Sequence, residues 1–147
     1  MKSRFLKWVL GLLLIGVLML PAIRESGQAQ PAVWLTSYDE ALKIARQTGK
    51  PILMDFQADW CGPCHMLREQ VFDAPIFKPQ ADRWVLLTID VEKHRDLQMK
   101  YQAGSLPTIL VLNSQGKPVL GRHGYAGPDD MLQLLETAYT RATTPVS

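Results

Sequence analysis

Apolar residues along the chain fall into three short unbroken runs and several stretches with helical spacing. The runs at residues 52–57, 84–89 and 108–112 have the length of buried strands. Apolar positions recur at helical intervals over residues 38–48, 61–72, 92–101 and from Pro128 onward. A turn signal at 113–116 precedes a fourth strand at 119–122. The pattern therefore predicts helices alternating with strands, with two strands adjacent near the end.

This order of elements predicts one α/β domain over residues 37–142. Alternating strands and helices favour a parallel core sheet between helices, and the short turn before the last strand favours an antiparallel edge. The expected architecture is thus a central mixed sheet flanked by helices. Residues 30–36 are expected to form a linker, and 143–147 a tail.

The first 29 residues have the composition of a leader. Lys2, Arg4 and Lys7 precede an apolar run at 8–20, and Gly27-Gln28-Ala29 offers small residues for cleavage. This pattern is typical of a secretory signal peptide. An uncleaved signal anchor through residues 5–23 is the alternative, since Lys7 can extend its side chain to the membrane surface. Both interpretations predict a periplasmic or otherwise extracytoplasmic domain, secreted or tethered.

Composition restricts the partners. Hydrophobic residues make up 47% of the chain, enough for a folded core. The formal net charge is +2, but residues 1–29 contain four of the 16 basic residues and one of the 14 acidic ones. The remaining chain has 12 basic and 13 acidic residues, a net charge of −1. Such a domain gives no electrostatic reason to expect nucleic acid as a partner.

The only two cysteines are Cys61 and Cys64, in the sequence Cys61-Gly62-Pro63-Cys64. They fall at the start of a predicted helix, where free amides and the helix dipole stabilise a thiolate. Cys61 is expected to be the more exposed thiol and the nucleophile, and Cys64 the resolving thiol. Gly62 leaves room for an incoming disulfide, and Pro63 favours the first helical turn.

Two other uses of the cysteines remain open at this point. A purely structural disulfide across a two-residue gap restrains little of the unfolded chain. A metal site needs four ligands, whereas Cys61, Cys64 and His65 supply at most three. His94 and His123 lie on other segments without an evident partner. We therefore expect a redox-active dithiol, with no metal and no cofactor.

Residues 55–64, with the sequence DFQADWCGPC, resemble the active-site strand and loop of the thioredoxin superfamily. Residues 49–55, 58–61 and 69–72 are similar to the C-terminal domain of DsbD-type thiol:disulfide interchange proteins. The resemblance extends from Ser37 to Tyr139 and implies a thioredoxin-like fold.

The resemblance also implies roles for further residues. Asp55 matches the buried acid that exchanges a proton with the inner cysteine, and burial would raise its pKa. Leu106, Pro107 and Thr108 match a loop with a cis proline that faces the dithiol and offers backbone to substrate. Trp60 would shield the thiols and provide an apolar contact surface. Cys61, Cys64 and Asp55 are thus the expected catalytic residues, and Trp60, Gly62, Pro63, Leu106 and Pro107 the expected substrate-binding ones.

The sequence departs from that family at two positions near the acid. Leu86 stands where the family usually has a lysine, so the proton path around Asp55 is expected to be drier or to pass through water. Gln57 stands where thioredoxins usually have tryptophan, so the substrate face is expected to differ.

Together these features predict an extracytoplasmic enzyme that reduces protein disulfides. It would act on disulfide-containing proteins and receive electrons from an upstream, membrane-bound thiol donor. Two alternatives remain: a disulfide oxidase or isomerase of the same fold, and a binding or metal-chaperone module in which the dithiol is secondary.

Overall fold

The computed structural model describes residues 32–144, so the leader predicted at 1–29 lies outside the described residues. The helices are α1 (Tyr38–Thr48), α2 (Gly62–Leu67), α3 (Lys78–Ala81), α4 (Arg95–Lys100) and α5 (Pro128–Thr143). The strands are β1 (Ile52–Gln57), β2 (Val85–Asp90), β3 (Thr108–Leu112) and β4 (Pro118–His123). Every predicted strand and helix is present, with small shifts at the ends.

Local sequence signals set the limits of α1. The Ser37 hydroxyl accepts a hydrogen bond from the Glu40 amide at 3.3 Å and so caps the first turn. Gly49 ends the helix in the left-handed conformation, with φ of 73°, which glycine adopts without steric cost. The buried side of α1 is formed by Ala41 and Ala45, whose small side chains let the helix lie close to the sheet.

The four strands form one mixed sheet in the order β2-β1-β3-β4. β1 and β2 are parallel, with Asp55 beside Thr88. β3 runs antiparallel to β1, with Thr108 opposite Phe56, and β4 is antiparallel to β3. The expectation of a parallel core sheet is therefore right for β1 and β2 only, whereas the mixed sheet and antiparallel edge are confirmed.

The direction of β3 follows from the connection that precedes it. β2 ends at Asp90 beside Gln57, at the carboxyl end of β1. The chain then passes through the short α4 and enters β3 at Thr108, which pairs with Phe56 at that same end. Because this connection leaves and returns at one end of the sheet, β3 must run back against β1. The loop before Thr108 consequently lies at the sheet end from which the chain continues toward Cys61.

Alternation along β1 divides the core between the two sheet faces. Ile52, Met54 and Phe56 belong to an apolar cluster that includes Ala41 and Ala45 of α1. Leu53 belongs to a second cluster, on the opposite face. Its other members include Leu67, Val71 and Phe72, which follow the cysteines, and Met131 and Leu135 of α5. By the period of two in a strand, Asp55 shares the face of Leu53. A carboxyl group is thus placed on the side covered by α2.

The helix that follows the cysteines changes its winding midway. It is α-helical over Gly62–Leu67 and π-helical over Arg68–Phe72. The Asp73 amide donates to the Arg68 carbonyl, five residues earlier, at 2.8 Å. Such wide turns are rare and often occur at functional sites. Arg68 therefore begins the widened turn one helical turn beyond Cys64.

Candidate functional site

The two cysteines form a disulfide at the start of α2. Their Cα atoms are 5.3 Å apart. Cys61 occupies the N-cap position, and its sulfur accepts a hydrogen bond from the Cys64 amide at 3.2 Å. Pro63, which has no amide proton, lies within the first turn. An amide donor already points at the sulfur that would become a thiolate after reduction, and such a donor favours the charged form.

Both cysteines are buried in the disulfide form. Cys61 is 3% exposed and Cys64 is 4% exposed, so the expectation that Cys61 is the more exposed is wrong for this state. The physical reason is the cap itself, since the Cys61 side chain folds back over the helix end toward the Cys64 amide. Gly62 and Pro63 are exposed between them.

The loop before β3 contains a cis peptide bond between Leu106 and Pro107. Pro107 is buried and Leu106 is half-buried. The Pro107 carbonyl accepts a hydrogen bond from the Gly124 amide at 2.7 Å, which ties the loop to the end of β4. The sheet topology brings this loop and the cysteine loop to the same end of the sheet. Their roles in binding substrate stay predictions.

Trp60 is an exposed residue of the active-site loop. Its side chain is 69% exposed, so it is not part of the core. The residue before it, Asp59, accepts a hydrogen bond through its backbone carbonyl from Nε2 of His65, at 2.8 Å. This contact joins the loop to α2 on the far side of the disulfide. A large apolar surface is thereby held beside the cysteines and open to a partner molecule.

Asp55 is buried and lies against a cationic side chain. It is 2% exposed, and burial raises its pKa from 3.8 to about 6, while the nearby Arg68 guanidinium lowers it in part. Nη2 of Arg68 lies 3.2 Å from Oδ2 of Asp55. Oδ1 has no hydrogen-bond partner within residues 32–144. Burial and a raised pKa suit the proton-exchanging role predicted for Asp55, which itself stays a prediction.

Arg68 is the site residue that the sequence reasoning missed. Although position 86 lacks the lysine, Asp55 still has a cation beside it, because Arg68 supplies one from the helix side. The expectation that the proton path around Asp55 is drier or uses water stays a prediction. Leu86 is buried on β2, as its position in the sheet requires. The signal in the sequence was helical spacing, since Arg68 is four residues after Cys64 and such positions share a helix face.

A cleft whose lining residues are of polar types lies beside the carboxyl ends of β1 and β2. It has a volume of about 310 Å³, and Gln57, Asp59, Thr88 and Asp90 are among its lining residues. Gln57 replaces the tryptophan expected from the family resemblance, and it contributes to a hydrophilic rather than an aromatic wall. The expectation that the substrate face differs stays a prediction.

A family profile described as thioredoxin-like matches residues 33–114, which include the cysteine loop and the Leu106–Pro107 bond. The chain belongs to the thioredoxin-like family. The matched residues include the Cys61–Cys64 disulfide, and the chain has the thioredoxin-like fold of this family. The predicted family and fold class are confirmed.

Curated relatives include both thioredoxins and larger interchange proteins. Thioredoxin Y from the chloroplast of Oryza sativa subsp. japonica is 31% identical over 70% of this chain and 58% of its own length. A thioredoxin-like protein of Synechocystis is 37% identical over 59% of this chain and 80% of its own. The thiol:disulfide interchange protein DsbD of Vibrio vulnificus is 36% identical over 54% of this chain, but the match spans only 14% of DsbD.

Solved structures show the same fold. The oxidised C-terminal domain of DsbD from Neisseria meningitidis superimposes with a TM-score of 0.58 at 25% identity, covering 72% of this chain and 99% of that domain. The DsbH oxidoreductase superimposes with a TM-score of 0.62 at 23% identity, covering 74% of this chain and 84% of the other, and supports the fold alone.

Residues 32–144 contain no group of three or more His, Cys, Asp or Glu side chains placed to hold a metal ion. Over the same range, none of the helices has the length and apolarity needed to cross a membrane.

Proposed function

We propose that this protein reduces disulfide bonds in other proteins outside the cytoplasm, using electrons from an upstream thiol donor in the membrane. The observation that supports the proposal most directly is the Cys61–Cys64 disulfide at a helix start, with an amide donor on the Cys61 sulfur. A pair that closes into a disulfide and reopens is what a thiol:disulfide exchange enzyme requires.

The proposed reaction begins with the reduced pair. The Cys61 thiolate attacks one sulfur of a substrate disulfide, a Cys61–substrate disulfide forms, and the other substrate sulfur leaves as a thiolate that takes up a proton. Cys64 then loses its proton and attacks the Cys61 sulfur. The Cys61–Cys64 disulfide forms, and the second substrate sulfur leaves with the electron pair and is protonated. The substrate gains two electrons and one proton from the thiolate–thiol pair, and its second proton comes from solvent, which received one when Cys61 ionised.

The residues around the pair suit a protein substrate. Trp60 offers an apolar side chain, Gly62 and Pro63 present little bulk, and Leu106 and Pro107 lie at the same end of the sheet. We propose that these five residues contact the substrate chain. Large exposed aromatic side chains are common anchors in protein interfaces.

Sequence features support the reducing direction and the location. Gly62 and Pro63 place no charge between the cysteines, as in the reducing branch of the resembled family. The basic and apolar pattern of residues 1–29 supports export, either with cleavage after Ala29 or with retention as an anchor.

Trapping tests the exchange reaction. In Cys64→Ser, Cys61 is expected to remain joined to substrate proteins as mixed disulfides that a thiol reductant releases on a denaturing gel. The matched control, Cys61→Ser, keeps one cysteine at the site and is expected to trap far less. If neither variant forms mixed disulfides and the wild type reduces no insulin in the presence of dithiothreitol, the exchange function is wrong.

The reduction potential tests the direction. Equilibration of the purified domain with glutathione is expected to give a value near that of thioredoxin, about −270 mV. A value near about −120 mV, where the oxidant DsbA lies, would replace the reductase assignment with an oxidase.

Fractionation of a Gram-negative host expressing the full chain, with mass spectrometry of the mature N-terminus, tests export. Recovery in the cytoplasm with Met1 intact would contradict it.

A further inference from the structure

The contact between Arg68 and Asp55 joins a half-buried cation to a buried carboxyl group. The Asp55 side chain is 3% exposed, whereas the Arg68 side chain is 30% exposed. Arg68 Nη2 lies 3.2 Å from Oδ2. One end of this pair therefore reaches solvent while the other is enclosed beneath α2.

Two features of the fold hold Arg68 in place. Its amide donates to the Cys64 carbonyl, so Arg68 begins the next turn of the same helix as the inner cysteine. Its guanidinium carbon lies 4.9 Å from the centre of the Trp34 ring, at a distance where the ring face attracts a cation. The guanidinium is thereby held between an indole and a carboxylate.

The other elements around Asp55 supply no comparable charge within the described residues. Its neighbours in the sheet are Thr88 on β2 and Ile109 on β3. Leu86, two residues before Thr88 and on the same face, is apolar. The buried side of α5 consists of Met131, Leu135 and Ala138. Arg122 lies across β3, beside Ile109 and one strand further from Asp55.

We propose that Arg68 is the positioning residue for proton exchange at the inner cysteine: its guanidinium fixes Oδ2 of Asp55 and leaves Oδ1 free to take the proton of the Cys64 thiol. This inference rests on the proposed exchange function. In the step itself, the S–H bond of Cys64 breaks and an O–H bond forms on Asp55. The resulting Cys64 thiolate attacks the Cys61 sulfur of the mixed disulfide, and the electron pair leaves on the substrate sulfur.

The chemistry of the guanidinium explains why it suits this position. A guanidinium donates hydrogen bonds and has no acceptor atom, so it does not compete for the proton. Its charge stabilises the ionised carboxylate against the cost of burial, and an opposite charge at this range lowers a carboxyl pKa by roughly one to three units. Arg68 therefore sets the pH range in which Asp55 can accept a proton.

The test compares Arg68→Met and Arg68→Lys with a matched control, Arg83→Met. Arg83 also pairs with a carboxylate, Glu136, at 2.8 Å, and stacks on an aromatic ring, Tyr139, at 3.8 Å. Its side chain is 33% exposed, close to the value for Arg68, but its carboxylate partner is exposed. The first readout is the Asp55 carboxyl titration by carbon-13 NMR in the oxidised protein. The second is the pH profile of release of a preformed mixed disulfide on Cys61.

In Arg68→Met, the midpoint of the Asp55 titration is expected to move to higher pH by roughly one unit or more. The pH at which release of the mixed disulfide accelerates is expected to rise by the same amount. Arg68→Lys is expected to return both curves most of the way to their wild-type positions. Arg83→Met is expected to leave both curves unchanged. An unshifted titration in Arg68→Met, or an equal shift in Arg83→Met, would overturn the proposal.

The titration separates this inference from the proposed function. It is measured on the oxidised protein and requires no substrate, so it reports on Arg68 even if insulin is not reduced. Conversely, a normal trapping result with an unshifted Asp55 titration would leave the exchange function intact and remove the role of Arg68.

Discussion

The Thr108 hydroxyl oxygen lies 2.9 Å from Nδ1 of His123, next to the cis bond before Pro107. The same hydroxyl donates to the Ser105 carbonyl at 2.6 Å. Because a hydroxyl has a single proton, the ring N–H of His123 must be the second donor. His123, for which the sequence offered no evident partner, is exposed but helps to join β4 to the loop that precedes β3.

Replacing Thr108 with valine tests this join. Valine has nearly the same shape but cannot hydrogen-bond, so both contacts of the buried hydroxyl are lost. We expect the free energy of unfolding to fall by about 1 kcal/mol, measured by urea denaturation. Thr137→Val is the control, since that hydroxyl is exposed on α5 and donates to the Gln133 carbonyl. If Thr137→Val lowers the free energy of unfolding as much as Thr108→Val does, the contacts of Thr108 with Ser105 and His123 contribute no more than an exposed hydrogen bond.

Trp60→Ala is expected to weaken protein substrates without weakening the fold. Truncating an exposed anchor of an interface typically costs 2 kcal/mol or more, so KM for insulin should rise by at least about tenfold. Reduction of a small aromatic disulfide should change much less, because it needs no extended surface. Unfolding free energy should stay within about 0.5 kcal/mol of the wild type.

A second exposed apolar residue provides the control for Trp60. Val33 is 73% exposed and lies near Lys50, at the opposite end of the sheet. Val33→Ala should leave both substrates unaffected. If Trp60→Ala leaves KM for insulin unchanged, Trp60 does not contact this substrate.

The elements that depend on local sequence were predictable. The run at 52–57 and the helix at 38–48 have the observed limits because an apolar run, a serine cap and a terminal glycine act over a few residues. The direction of β3 was not, since it depends on how the 91–107 connection crosses one end of the sheet. Periodicity describes which face of an element is buried but not the sense in which a strand runs.

The features of the candidate site were likewise predictable only in part. A short motif and its flanking residues predicted the dithiol, the buried acid and the opposing proline loop. The Arg68 contact depends on the distance between a helix and a strand, and the helix changes to π-helical winding at this same residue. The burial of Cys61 depends on which way its side chain turns at the cap. Neither property has a signature in the order of residues alone.

The buried carboxyl of Asp55 makes stability depend on pH. Its pKa is raised from 3.8 to about 6 by burial in the folded protein. The stabilising contribution of the protonated form is therefore complete below pH 3.8 and is lost as the pH rises through about 6, a change of about 3 kcal/mol at most. In the oxidised protein, Asp55→Asn should remove this loss. Between pH 4.5 and pH 8, the free energy of unfolding of the variant should therefore rise relative to that of the wild type.

Exposed Asp82 offers the control Asp82→Asn, which should show the same change in the free energy of unfolding between these pH values as the wild type. Urea denaturation at the two pH values measures both. If Asp55→Asn and the wild type lose the same stability across this range, the carboxyl is already ionised at pH 4.5, and burial does not raise its pKa to about 6.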